Sequence, residues 1–148
     1  MHLISKMNRE KIVGFIVMLG ILACNSDDDN NNTSSCDQLV IISSKQYNDE
    51  PNDNLTINSL KINEDCLRIN FTSSGCSGDS WEVKLIDSEE VLESVPPQRN
   101  LKVSLKNEEL CQAVITKEIS FSISELRIDG TKVLLNIKNS EDQLLYEY

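Results

Sequence analysis

Histidine is almost absent from this chain: the one copy, His2, stands at the amino terminus, ahead of an apolar run at residues 12–24. Once that segment is set aside, no imidazole remains to act as a general base near neutral pH. This excludes Ser-His-Asp and Cys-His catalysis within the chain, and the usual zinc hydrolase sites with them. Basic charge is also scarce. Of 14 basic and 24 acidic residues, three and one fall within residues 1–23, leaving 11 against 23 and a net charge of −12. So acidic a surface repels phosphate backbones, which excludes nucleic acid as a partner. Beyond residue 24 no apolar pattern has helical period and length, so any pocket must come from loops or from an exposed sheet face. The apolar run itself is too short to cross about 30 Å of hydrocarbon.

What surrounds that run gives it a meaning. Lys6, Arg9 and Lys11 precede it, and Asn25-Ser26-Asp27-Asp28-Asp29-Asn30 follow, so a charged head, an apolar core and a small-residue cleavage site succeed one another as in a secretory signal. Ile21, Ala23 and Cys24 fit a lipobox, and the segment resembles the lipoprotein signals of Gram-negative bacteria. That resemblance implies that residues 1–23 are removed and that Cys24 carries a diacylglycerol on its sulfur and an acyl chain such as palmitate on its new amino terminus. Two or three acyl chains give the lasting membrane attachment that one cannot. An ordinary secretory signal cut near a cysteine is the alternative. Residues 25–35, NSDDDNNNTSS, hold no apolar side chain, so 24–35 reads as a disordered acidic tether. Its early aspartates resemble the surface-export signals of lipoproteins in Bacteroidota, and its second position is Asn25 instead of the aspartate associated with inner-membrane retention. The resemblance implies a lipid-anchored outer-membrane protein facing outward, with a periplasm-facing domain as the alternative.

With Cys24 lipidated, Cys36, Cys66, Cys76 and Cys111 remain, an even set in an exported chain of 125 residues. Two disulfides are expected, with three connectivities that spacing alone cannot separate; Cys36–Cys66 with Cys76–Cys111 is preferred. Gaps of 30, 10 and 35 residues do not suit a four-thiolate zinc site.

Short runs of period two, separated by polar turns, fill residues 36–148. Leu39–Ile42 is a first strand, followed by an Asn-, Asp- and Pro-rich bend from Tyr47 to Asn54 and a second strand from Leu55 to Ile62. Leu67, Ile69 and Phe71 share one face of a third, and Trp81, Val83 and Leu85 one face of a fourth. Residues 87–97 read as a helical turn or a long hairpin connection, stopped by Pro96-Pro97. Leu101, Val103 and Leu105 alternate with Lys102, Ser104 and Lys106, and these lysines with Lys84 are placed on watery faces. Ile119, Phe121 and Ile123 face inward in a sixth strand. Asp129-Gly130 signals a tight hairpin reversal before a strand over 131–137, and Leu144, Tyr146 and Tyr148 continue the two-residue period as sheet packing. Seven or eight short strands point to an all-β, immunoglobulin-like β-sandwich as a single domain over 36–148, with a small open barrel as the alternative.

The candidate binding loop is the stretch between the third and fourth strands, with Ser74, Gly75, Ser77, Gly78, Asp79 and Trp81 as its residues and Cys76 as its pin. Trp81 reads as core; an open loop ahead of it would place the indole at the rim of a binding face. The carboxylates of Asp79 and Glu82, or of Glu108 and Glu109, are the places where a glycan-hydrolysing pair could sit. Calcium is the one cofactor left open, at Asp49, Glu50 and Asp53, although in so acidic a chain these read more simply as solubilising turn residues; the aspartate run of the tether lacks the spacing of a calcium loop. No metal site and no catalytic residue is assigned.

Asp65-Cys66-Leu67-Arg68-Ile69, Ser74-Gly75-Cys76, Glu93-Ser94-Val95-Pro96-Pro97-Gln98, Cys111-Gln112-Ala113 and Ser120-Phe121-Ser122-Ile123 together resemble an uncharacterised family of small secreted or lipidated β-domains from Bacteroidota, over roughly Asn54 to the end. Members of that family tend to have a histidine soon after the glycine-cysteine pair and another just ahead of the next cysteine. Here those regions read Ser77-Gly78-Asp79-Ser80-Trp81 and Leu105-Lys106-Asn107-Glu108-Glu109, so any function resting on the histidines is lost, with Asp79 the nearest stand-in for one ligand. The expected role is a non-enzymatic binding or assembly module whose partner is an envelope protein or a glycan. An envelope inhibitor or accessory subunit, and a carboxylate-dependent glycan hydrolase, are the alternatives.

Overall fold

Alternating apolar and polar side chains put one face of most segments into a common core, and the computed structural model, which describes residues 36–148, builds them into two packed sheets. The signal segment 1–23, Cys24 and the tether to Ser35 lie outside the described residues. In chain order the elements are β1 (Gln38–Leu39), β2 (Ile41–Ile42), α1 (Ser44–Asp49), β3 (Thr56–Asn63), β4 (Cys66–Gly75), β5 (Glu82–Leu92), β6 (Gln98–Lys106), β7 (Ala113–Ser122), a 3-10 turn (Ser124–Leu126), β8 (Lys132–Ile137) and β9 (Gln143–Glu147). One sheet has the order β1-β7-β4-β3 and the other β2-β5-β6-β8-β9. Residues 36–148 form the expected β-sandwich, and among the described residues the strands do not close into a barrel. Both sheets are mixed: β1 runs parallel to β7, β2 to β5 and β6 to β8, and the other pairs are antiparallel.

Leu67, Ile69, Phe71 and Phe121 from the first sheet meet Val83, Leu85, Leu101, Val103, Leu105, Val133, Leu135 and Tyr146 from the second. Each fully buried side chain of this size contributes about 1.5–3 kcal/mol. Buried Val40 marks the point where the first strand leaves one sheet for the other, which is why one expected strand is found as two. The disulfides are Cys36–Cys66, with Cα atoms 5.7 Å apart, and Cys76–Cys111, at 4.8 Å. One ties the start of the described chain to the start of β4; the other ties the exit of β4 to the entrance of β7.

Three expectations are corrected. The bend expected from Tyr47 onward is in part the helix α1, capped by the Ser43 hydroxyl accepting the Gln46 amide at 3.3 Å. Lys102 is not on a watery face. Helix α1 and the chain just after it cover the outer side of β6, so Lys102 is 4% exposed and its Nζ donates to the carbonyls of Tyr47 and Glu50 at 2.8 and 2.7 Å. Asp129-Gly130 is a reversal, with Gly130 at φ 120°, but it leads from a strand of one sheet to a strand of the other and makes no hairpin. Of the two readings of residues 87–97, the hairpin holds: β5 and β6 pair as far as Leu92 and Gln98, with an irregularity between Asp87 and Val91.

Candidate functional site

Strand β4 ends at Gly75, and the chain crosses to the second sheet through residues 76–80. A five-residue polar crossing has no ladder to satisfy its amides, so they need another acceptor. Glu109 supplies it. Its carboxylate accepts the amides of Cys76 at 2.5 Å, Ser77 at 3.1 Å and Gly78 at 3.0 Å, and the Ser80 hydroxyl at 3.0 Å. The Gly78 amide above all, with those of Cys76 and Ser77 and the Ser80 hydroxyl, holds the Glu109 carboxyl down to about 2, outweighing partial desolvation. Gly78 sits at φ 71°, a backbone conformation that glycine adopts without steric cost. The disulfide Cys76–Cys111 closes the same loop from its other side.

This clamp positions Trp81. The indole is half-buried and packs at a tilt on Phe71, with ring centroids 6.0 Å apart. It lies so close to Gly75 that a Cβ there would stand 2.8 Å from Trp81 Cζ2. Its Nε1 is buried without a hydrogen-bond partner. The Lys117 ammonium lies 5.9 Å from the centre of the ring, donating to the Gly78 carbonyl at 2.8 Å and pairing with Asp79 at 3.2 Å. The Ser77 hydroxyl and then Lys117 hold the Asp79 carboxyl below its usual value.

Between the sheets beside Trp81 opens a cleft of about 390 Å³, floored by Phe71, Trp81, Val83 and Ile119 and rimmed by Asp37, Asp79, Glu118 and Lys117. It exists because the first strand is short. β1 pairs with β7 only at Phe121 and Ser122, and β2 with β5 only at Ile86 and Asp87, so the flank below them has no covering strand among the described residues. Asp37 closes the upper end, its carboxylate accepting the Ser120 amide at 2.8 Å and hydroxyl at 2.7 Å. Both bonds hold the Asp37 carboxyl low.

Of the candidate loop residues, Ser77, Gly78 and Asp79 lie in the clamped crossing and Trp81 at its exit, while Ser74 and Gly75 are the last two residues of β4. Gly78, Asp79 and Trp81 line the cleft; Ser74 lines a separate recess with Asn54 and Asn107. Trp81 is therefore both packed against the core and at the rim of a cleft. Sequence reasoning did not single out Lys117 or Asp37, whose roles depend on the pairing of distant strands, and Glu109 was weighed only as half of an acid pair.

The other acidic candidates are taken up singly. Asp49 pairs with Lys45, Glu50 with Lys84, and Asp53 accepts the Asn107 amide at 2.9 Å. Among the described residues no group of acidic, cysteine or histidine side chains is placed to hold a metal ion. Glu82 and Glu108 both approach Lys106, at 3.1 and 3.5 Å. Among the described residues the carboxyl pushed up by burial is Asp87, inside the sandwich, where it accepts from Arg99 at 2.8 Å. At the opposite end of β4, Asp65 accepts from the Tyr146 hydroxyl and from Arg127 at 2.5 Å, and burial with the Asp65 bond pushes the Tyr146 hydroxyl up to about 12.

Two solved structures share this fold. A protein of unknown function, DUF1344, from Bacteroides vulgatus has a TM-score of 0.51 at 18% identity, over 75% of this chain and 56% of its own. A NigD-like immunity protein from Bacteroides caccae has a TM-score of 0.51 at 13% identity, over 74% of this chain and 59% of its own. The chain thus spans less than two thirds of the length of either. No protein-family model and no curated protein matches it.

Proposed function

We propose that this chain is a non-enzymatic envelope binding module that engages its partner through the Trp81 flank, carried on a lipidated Cys24 at the outer membrane and facing outward. The observation that carries the reading is the Glu109 clamp: three loop amides fixed by one carboxylate, beside a disulfide, hold the rim of an open cleft in one conformation. A surface ordered in advance loses less entropy on binding, which is what a recognition site needs. The inhibitor form of the reading uses the same surface, and the NigD-like immunity protein is an example of the fold in an immunity role. Glycan hydrolysis needs one carboxyl of raised pKa beside a lowered one. Asp79 and Glu109, at the flank, are both lowered.

The test is affinity capture from native membranes with the lipidated chain, Cys24→Ser as the untethered control and Asp79→Arg as the flank variant. Labelling of the native chain by an alkyne fatty acid, absent from Cys24→Ser, is the expected sign of the anchor. A discrete protein held by both the native chain and Cys24→Ser, and lost from Asp79→Arg, supports the reading. Equal retention by Asp79→Arg, or by heat-unfolded protein, contradicts it.

A further inference from the structure

The open side of β7 has a definite chemistry. In an antiparallel pair, residues alternate between exchanging both hydrogen bonds with the partner strand and directing both groups away from it. Ser120 directs its amide away from β4, to Asp37, and Ser122 directs its carbonyl away, to the Val40 amide at 3.0 Å. The β4–β7 register runs without a break from Cys66 opposite Ser122 to Gly75 opposite Ala113. By that alternation the amides and carbonyls of Glu118, Thr116 and Val114 also point away from β4. Among the described residues no strand lies there, since β1 ends its pairing at Phe121.

Two other strand edges are capped or interrupted by the chain itself. Beyond the reach of β8, the outer edge of β6 is met by the Asn139 side-chain amide, which bonds both the Val103 amide at 2.9 Å and its carbonyl at 3.0 Å, and by Asn52 and Asp53 against Leu105. The edge of β3 is interrupted by a register shift between Ile57 and Ser59. Along β7 the only such device among the described residues is Asp37 at Ser120. Beside the free edge lies the cleft, whose apolar floor is reached from the same side of β7 as Ile115, Lys117 and Ile119, and whose rim carries three carboxylates: Asp79 pairs with Lys117, Glu118 with Arg68 at 2.9 Å, and Asp37 is bonded to Ser120.

We infer that the free edge of β7, from Val114 to Glu118, takes an extended basic segment of a partner protein as an added strand, every second side chain of which enters the Trp81 cleft. This rests on the binding-module reading and names its ligand. A row of unpaired main-chain donors and acceptors recognises another polypeptide backbone, and a pocket beside it selects alternate side chains. A lysine or arginine suits that pocket: its methylene stem covers Phe71, Trp81 and Val83 while its charge meets the rim carboxylates. The net charge of −12 beyond residue 23 also favours a basic partner.

The experiment titrates the full chain, in detergent, with an acetylated and amidated eight-residue peptide alternating valine and lysine, following the fluorescence of Trp81, the one tryptophan present. Two further peptides of unchanged charge carry N-methyl groups on the valine amides or on the lysine amides. An added strand turns only one of these sets toward β7. The expected result is saturable binding by the parent, weakened at least about tenfold by one methylated set and retained by the other. Thr116→Pro removes an outward amide that the β4 ladder does not use, and should weaken the parent peptide similarly. No saturable binding, or equal binding by all three peptides, overturns the inference, and these readouts on the native chain do not depend on the folding of the proline variant. If the peptides fail while Asp79→Arg still abolishes envelope capture, the added-strand inference falls and the binding-module reading stands.

Discussion

Glu109 holds Gly78 with both carboxylate oxygens, Oε2 at 3.0 Å and Oε1 at 3.1 Å from the amide nitrogen. That shared bond joins the entrance of β7 to the crossing between the sheets, and it makes the shape of the cleft rim depend on one charge. A carboxyl lowered from 4.5 to about 2 in the folded chain contributes stability above its unfolded value, lost as pH falls from about 4.5 through about 2. Glu109→Gln should therefore melt below the native chain at pH 7, with the difference shrinking across that interval. Thermal melts of both proteins from pH 7 to pH 2 check this; a difference independent of pH contradicts it.

Gly75 is needed for space. An alanine there must displace both the Glu109 carboxylate, which its Cβ would meet first, and the Trp81 ring, whose Cζ2 and Nε1 would lie 2.8 and 3.1 Å away. Gly75→Ala should cost roughly 1–3 kcal/mol in urea denaturation, as overpacking does, and should shift Trp81 emission to longer wavelength. An unchanged emission maximum would show that the ring is not held as described.

Tyr146 and Asp65 fasten the other end of β4. Tyr146→Phe keeps the buried ring but removes a hydrogen bond to a charged group, at a cost of about 1.5–3 kcal/mol by denaturant titration. The native hydroxyl, raised from 10 to about 12, also predicts that stability present below pH 10 falls as pH rises toward 12. Tyr146→Phe should flatten that limb, and an identical alkaline limb in both proteins would rule out the assignment.

Asp87 and Arg99 form a buried pair in which Asp87 Oδ2 and Arg99 Nε have no partner. Replacing only the guanidinium, as in Arg99→Met, leaves a buried carboxyl unpaired and should cost about 3–5 kcal/mol near neutral pH. The double variant Asp87→Leu with Arg99→Met should recover much of this. Denaturant midpoints of the two variants measure it, and a double variant no better than the single one contradicts it.

Strands were legible in the sequence because each has one buried face: Leu67, Ile69 and Phe71 declare β4 unaided. Helix α1 was not, since none of its residues is buried and its Asn48 and Asp49 look like turn residues. The parallel pairing of β6 with β8 was also hidden, because alternation fixes which face is buried and not which strand lies alongside. At the site, the loop and its cysteines could be read from composition. Glu109 could not, because its partners are main-chain amides some thirty residues away. Lys102 was misplaced for a related reason: the face opposite Leu101 and Val103 is watery only where nothing covers it, and α1 is set against β5 and β6 by contacts distant in sequence.

The measurement that tests the flank most directly is photocrosslinking in intact cells, with a benzophenone side chain placed in turn at Ser77, Thr116 and Lys132. Ser77 and Thr116 border the open flank, and Lys132 stands at the start of β8 in the opposite part of the second sheet. The account predicts an adduct of one discrete mass from Ser77 and Thr116 and none from Lys132. An adduct from Lys132 alone, equal adducts from all three, or none from Ser77 and Thr116 would contradict it.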